Sequence, residues 1–351
     1  MVAASATTLL VAGALHATPA AAAPLRPAQT GPLTSAQTAL LTSTHTAPLT
    51  SAQTAAHSAA RMAVAPAGSG SHAAGFGASV RAKGKARVTA AVLDLDGTGR
   101  KPALYGDDAP YDTASIIKVD ILATALLQAQ DSGRPLTRAE RAQAKAMIEH
   151  SDNKAANALW RHIGRAHGLE AANKRLGLTS TRGGPGARWG LTRTTASDQI
   201  RLLRALFDSG PADRTAGGAA AKAGHEPALD ATSRAYIRTL MSQVAAEQSW
   251  GVSAAVGSGH TQKPTQKPTQ KPAPEHTPTP APKPAAKPAL KNGWLQRNTT
   301  GLWDVNSVGR ITKGGHHYLV AVLSDGNKSM KDGVALVERA ARTAVSSANP
   351  R

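Results

Sequence analysis

The stretch "DTASIIKVDIL" (112–122) sets a serine and a lysine three residues apart at the head of an otherwise apolar run. Ile116, Ile117, Val119, Ile121, Leu122, Leu126 and Leu127 leave almost no polar stripe, which predicts a buried helix beginning near Ala114. A lysine in such a helix is costly in its charged form. Lys118 lies one turn beyond Ser115 on the same face, where its amine can meet the serine hydroxyl, and desolvation lowers its pKa toward that of a usable base. The first helical turn also presents free backbone N–H groups and the positive end of the helix dipole to a developing negative charge. Ser115 therefore reads as a nucleophile and Lys118 as its base. Spacing alone decides little, because Ser151 and Lys154 repeat it.

The company of this pair decides more. Ser151-Asp152-Asn153 breaks two helical stretches 36 residues after Ser115, and Lys291-Asn292-Gly293 opens a later strand. Each has a plain structural reading. Ser, Asp and Asn are all good helix N-caps, Lys291 could be an edge-strand charge and Gly293 a bulge. Together and in this order they form the set described for penicillin-binding proteins and class A β-lactamases.

Residues 88–348, apart from a Pro-rich tract, thus resemble the class A β-lactamase-like serine hydrolases, through "YDTASIIKVDIL", "MIEHSDNKAANALW", "GLTRTTASDQ" and "LKNGW". The resemblance implies an α/β (α+β) fold: a five-stranded, mostly antiparallel sheet flanked by helices, with an inserted all-helical lobe and the active site in the cleft between them. It implies that Ser115 is acylated, that Lys118 accepts its proton, and that Ser151 relays a proton to the leaving nitrogen. By the same resemblance Asn153 orients Lys118 and a substrate amide, Lys291 attracts a substrate carboxylate, and the N–H groups of Ser115 and Trp294 form the oxyanion hole. Two departures point to an altered substrate. Asn292 replaces a hydroxyl that would bind the carboxylate, and Trp294 is bulkier than the usual small residue. A β-lactam, a peptidoglycan stem peptide and an unrelated ester remain open as acyl donors, as does a receptor that is only acylated. A third departure bears on turnover: "GLTSTRGGPGARWGLTRTT" (177–195), where the family carries the glutamate that activates the deacylating water, contains no Asp or Glu. Glu170 and Asp198 flank it, and acylation is expected to outlast hydrolysis.

The rest of the chain sets the boundaries. At 351 residues and 41% hydrophobic content it can bury a sizeable core, filled by alanine and leucine because aromatics make up 3%. Residues 1–23 read as a secretory signal with small residues near Ala22, although no Lys or Arg precedes Arg26. Residues 24–80 include the echoed octapeptides "PLTSAQTA" (32–39), "LLTSTHTA" (40–47) and "PLTSAQTA" (48–55), too polar to fold alone. The hydrolase domain, 81–348, is interrupted by a Pro/Lys/Thr-rich insertion at 258–288. Nine of the 22 prolines lie there, favouring extended polyproline II. About half of the net charge of +19 lies before Asp94 or in the insertion: six basic residues and no acid precede Asp94, and the insertion has five lysines against Glu275. That pattern suits anionic wall polymers or membrane surfaces. A nucleic-acid partner is not expected, since no stacking aromatics accompany the charge. The expected protein is a secreted, extracellular or wall-associated monomer.

With no cysteine and no ligand spacing among 12 histidines, no metal or other cofactor is expected. A rival resemblance sits in "AVLDLDGTG" (91–99), similar to the opening motif of haloacid dehalogenase-type phosphatases, in which Asp94 would attack a phosphate beside magnesium. That fold requires a doubly wound parallel sheet of strand-helix repeats. The plain alternative is a hairpin turned at Gly97-Thr98-Gly99.

Overall fold

The computed structural model describes residues 76, 79–97, 101–208, 227–257 and 287–348. The predicted signal (1–23), nearly all of the 24–80 tract, the hairpin apex at Thr98-Gly99 and 258–286 of the insertion lie outside them. In chain order the elements are β1 (Arg87–Asp94), β2 (Ala103–Tyr105), β3 (Tyr111–Asp112), a 3₁₀ turn (Ala114–Ile116), α1 (Ile117–Asp131), α2 (Arg138–Glu149), α3 (Asn153–His162), α4 (Arg165–Leu176), β4 (Arg193–Thr194), α5 (Ala196–Phe207), α6 (Ala231–Ser242), a 3₁₀ segment (Gly251–Val256), β5 (Ala289–Gln296), β6 (Trp303–Lys313), β7 (His316–Asn327) and α7 (Met330–Ala348).

Five strands form one sheet in the order β2-β1-β7-β6-β5, every pair antiparallel. The central strands β1 and β7 carry continuous apolar runs because both their faces are covered. Side chains alternate across a strand, so Ala91, Leu93, Leu319, Ala321 and Leu323 enter the core shared with α1 to α6, while Ala90, Val92, Tyr318, Val320 and Val322 enter the core beneath α7. The sheet joins the two ends of the described chain, and the block from α1 to α6 is inserted between β3 and β5, in keeping with the inserted helical lobe that the resemblance implies.

Helix α1 is the hub of the helical block. All its residues except Gln128, Gln130 and Asp131 are buried, and each Leu or Ile so placed contributes about 1.5–3 kcal/mol relative to exposure. Helix α2 starts at a capping box: Glu140 N donates to Thr137 Oγ1 at 3.2 Å and Thr137 N to Glu140 Oε2 at 2.6 Å.

The expected five-stranded sheet is present, antiparallel in each described pair. Two expectations change. The helix predicted from Ala114 opens instead as the 3₁₀ turn, with Ala114 in the left-handed region at φ +47°. The phosphatase reading of Asp94 fails, because β1 lies antiparallel to both neighbours and a helical block follows where strand-helix repeats were required.

Candidate active site

Ser115 sits on a turn fixed from three sides. Strand β6 reaches it through Asn306, whose Nδ2 donates to Asp112 O (2.9 Å) and Thr113 O (3.1 Å). The loop before α5 holds Thr113 N, which donates to Thr192 O at 2.8 Å. Strand β5 contributes Gly293, and here the absence of a side chain is required: a Cβ would fall 2.7 Å from Ser115 N and Ile116 N and 2.8 Å from Thr113 O. Gly293 is thus the point at which sheet and nucleophile turn touch. The left-handed Ala114 beside Ser115 costs on the order of 1–3 kcal/mol, held by these surroundings.

One turn further, Lys118 is fully buried. Its Nζ donates to Ser151 O (2.7 Å), Ser151 Oγ (3.0 Å) and Asn153 Oδ1 (2.8 Å). Burial lowers the amine to a pKa of about 7, against the opposing attraction of Asp152. Ser151 also adopts a left-handed backbone, φ +56°, between the end of α2 and the N-cap of α3, where Asp152 Oδ1 accepts from Ala155 N at 2.6 Å. That kink turns both the carbonyl and the hydroxyl of Ser151 toward Lys118.

Lys291, on β5, closes the chain of groups. It is fully buried, and its Nζ donates to Ser151 Oγ (3.1 Å) and Asn292 O (2.9 Å). Burial first, and then the charge of Lys118, push its pKa well below the ordinary lysine value. Ser151 Oγ therefore accepts from two amines at once, and its own proton is directed elsewhere. The structure brings Ser115, Lys118, Ser151, Asn153, Lys291 and Gly293 to one place. No hydrogen bond joins Lys118 to Ser115 Oγ among the described residues; the amine is engaged by Ser151 and Asn153 instead.

Asn292 and Trp294 face the other way from Lys291 and Gly293, as strand alternation demands. Asn292 is fully buried and its Nδ2 donates to Gln248 O (2.8 Å) and Trp250 O (3.0 Å), so its amide ties β5 to the segment leading into Gly251–Val256. Both donor hydrogens of the Asn292 amide are thus engaged by main-chain carbonyls. The Trp294 ring packs tilted against Trp250, centroids 6.0 Å apart. Its main chain still belongs to β5, the last strand of the sheet, where alternate N–H groups point away from β6.

Two features were invisible in the sequence. Asp112, just before the nucleophile turn, receives Arg297, in a short ion pair, and Arg193 at 3.3 Å, while Asp304 lies 3.8 Å from Arg297. Burial pushes the Asp304 carboxyl up to about 7 despite Arg297. The second feature is Trp189, from the loop after α4, whose ring lies 4.8 Å from Lys118 Nζ while its Nε1 donates to Asn157 Oδ1 at 2.7 Å. The carboxylates flanking this loop are committed to the loop itself. Glu170 Oε1 accepts from Gly183 N at 3.0 Å. Asp198 is fully buried and accepts from Ser180 N and Thr181 Oγ1, both at 2.8 Å, and from Arg201 at 2.5 Å.

Similarity to known proteins agrees with this geometry. A model of the β-lactamase enzyme family matches residues 141–243, a span that holds Ser151, Asn153 and the Trp189 loop. No curated protein matches the chain in sequence. Among solved structures, the TLA-3 extended-spectrum β-lactamase superposes with a TM-score of 0.59 at 14% identity, covering 79% of this chain and 98% of that one. PBP-A gives 0.57 at 16% identity, covering 78% and 94%. A class A β-lactamase representative from Bacteroides cellulosilyticus DSM 14838 gives 0.57 at 13% identity, covering 80% and 98%. The chain therefore has the β-lactamase fold, and its residues 141–243 are similar to the β-lactamase enzyme family.

Proposed function

We propose that the protein is a secreted serine acyl-transfer enzyme that forms an acyl-enzyme on Ser115 with a β-lactam or a related cell-wall amide or ester, and releases it slowly. The observation that carries this reading is the chain Lys118 Nζ, Ser151 Oγ, Lys291 Nζ, linked at 3.0 and 3.1 Å beside the Ser115 turn. Two buried amines with lowered pKa values sharing one hydroxyl have little structural use, whereas a proton relay requires them.

In the proposed reaction, neutral Lys118 takes the proton of Ser115 as Oγ bonds to the acyl carbon, and the carbonyl π pair moves to oxygen. The oxyanion is met by the N–H groups of Ser115 and Trp294. Collapse of the tetrahedral adduct breaks the C–N bond, and the leaving nitrogen takes the proton of Ser151 Oγ, which is replaced from the lysine pair. Asn153 leaves its amide N–H₂ for a substrate carbonyl while Oδ1 holds Lys118. The site for a substrate carboxylate is assigned to the Lys291 charge rather than to Asn292. Hydrolysis of the resulting ester needs a base for water, and Glu170 and Asp198 are both occupied in supporting the loop. This favours behaviour nearer a penicillin-binding peptidase or an acylated sensor than a resistance enzyme. A PBP-A variant forms an acyl-enzyme complex with penicillin G, which makes that compound the natural first probe. The basic tracts outside the folded core are assigned to attraction for anionic wall polymers.

Intact mass after incubation with penicillin G and with an activated ester tests the proposal. The wild type should gain one acyl mass with at least one of them, and Ser115→Ala should gain none. Labelling of Ser115→Ala at the wild-type level contradicts the assignment.

A further inference from the structure

At the opposite end of the sheet from Ser115, three metal-capable side chains converge that the proposed chemistry does not use. Asp94, the last residue of β1, Asp96 in the turn after it, and His316, the first residue of β7, offer one donor atom each, all within 4.8 Å of one another. Along β7 the active-site level is Leu323, which pairs with Asn306 and through it with Gly293. His316 lies seven residues away, about 23 Å at 3.3 Å per residue.

The cluster is built rather than fortuitous. Asp94 Oδ1 accepts from Asp96 N at 2.9 Å, folding the turn so that both carboxylates face the same way. Gly97 lets the chain tuck over Asp94, since a Cβ there would stand 3.3 Å from the Asp94 carboxylate. His316 Nδ1 meets Asp94 Oδ2 at 2.8 Å, and its ring stacks on Tyr318 with centroids 6.1 Å apart, which fixes its direction. Asp96 Oδ2 is oriented in turn by His317, accepting from its backbone N–H at 2.7 Å and meeting its Nδ1 at 2.9 Å. A carboxylate ligand backed by a second histidine is the outer-shell support that metal sites use to fix ligand direction.

We propose that Asp94, Asp96 and His316 form a binding site for a divalent transition cation of the zinc class, with His317 as the positioning residue behind Asp96. The donor set is one imidazole and two carboxylates, which suits a borderline cation better than magnesium or calcium, whose ligands are oxygen. Zinc bonds of about 2.0–2.2 Å place neighbouring ligands about 3.3 Å apart. Entry of the ion thus opens the His316–Asp94 pair by about half an ångström and draws Asp96 inward, with water completing the shell. The ion replaces the proton now shared between His316 and Asp94. It clips the end of β1 to the β6–β7 hairpin, joining parts of the chain more than 200 residues apart in sequence. Such a clip closes a long loop of the unfolded chain and so stabilises the folded sheet.

The test is calorimetric titration of the full chain with zinc chloride, together with thermal melts with zinc and with EDTA. The wild type should bind one equivalent and melt higher with zinc. Asp96→Asn and His316→Gln should each lose both effects relative to their own zinc-free melts, which separates loss of the site from loss of the ion pair. His317→Gln should weaken binding about 10–100-fold without abolishing it, and His167→Gln, at an exposed position on α4, should match the wild type. Acylation of Ser115 should be unchanged in all of these variants. No binding by the wild type, or equal binding by His316→Gln, overturns the proposal, as does a magnesium response equal to that of zinc.

Discussion

The two walls around Ser115 differ in kind. On one side, Lys118, Ser151 and Lys291 are linked in one hydrogen-bonded chain, its two amines fully buried and lowered in pKa. On the other, the 177–195 loop contributes an indole ring and its own backbone, and the carboxylates nearest to it, Glu170 and Asp198, are taken up in holding that backbone. In the proposed reaction, Lys118 near neutrality is the base for making the ester, and among the described residues Glu170 and Asp198 are engaged with the loop rather than with a water that would break it. Identical folds can therefore differ in outcome at the second step alone. Loss of general-base assistance is typically worth about 10²–10⁴-fold.

The largest effect should come from the relay wall. Lys118→Arg keeps the positive charge but cannot supply a free amine, so the acylation rate constant should fall about 10²–10⁴-fold while far-UV circular dichroism is unchanged. Unaltered labelling would remove Lys118 as the base and turn attention to Lys154. Gly293→Ala should come next. Its Cβ would press backbone atoms of the nucleophile turn at 2.7–2.8 Å, and a displacement near 1 Å costs about 10²-fold in rate. Acylation at the wild-type rate would show that the turn yields without consequence.

The pH profile is subtler. Lys118 must be neutral to accept a proton, and its pKa is lowered to about 7, so acylation should rise through that region and level off above it. A rate that falls as pH rises from 6 to 8 has the wrong sign for this base. On the loop wall, Asp198→Asn should reduce stability by about 1–3 kcal/mol, because a buried acceptor of three hydrogen bonds is weakened. It should leave slow turnover within about twofold, since no water is activated there; a hundredfold loss of turnover would identify Asp198 as the missing base. The smallest effect should follow from removing 24–75 and shortening 258–286. Polar tracts of this kind contribute little to a core, so melting temperature and acylation should stay nearly constant, with only salt-sensitive wall binding reduced. A large drop in either would show that the tracts pack on the domain.

How much of this was legible depended on the range of the interactions. The central strands β1 and β7 carry apolar runs because both their faces are covered, and Thr137-x-x-Glu140 spells a capping box, a contact three residues long, at the start of α2. Ser115, Lys118, Ser151 and Lys291 were legible because an apolar helix, a break between helices and a strand each carried polar residues with no local reason to be there. The side-chain direction of Asn292 was not, because it is set by carbonyls of Gln248 and Trp250 more than forty residues away. Trp189 over Lys118 depends on how a glycine-rich loop closes against Ala114, which periodicity does not encode. The left-handed Ala114 and Ser151 are likewise imposed by surroundings, against the preference of residues with a Cβ. His316 meets Asp94 and Asp96 only once the two chain ends pair in one sheet, so the Asp-x-Asp motif by itself did not reveal that meeting.

Stopped-flow hydrolysis of a chromogenic cephalosporin tests the difference between the two walls most directly. An initial burst of about one equivalent per enzyme, followed by turnover far slower than the burst, is the predicted trace, because the ester forms on an equipped wall and waits on an unequipped one. Sustained turnover at roughly hundreds per second, in the upper range of ordinary enzymes, with no burst, would contradict it.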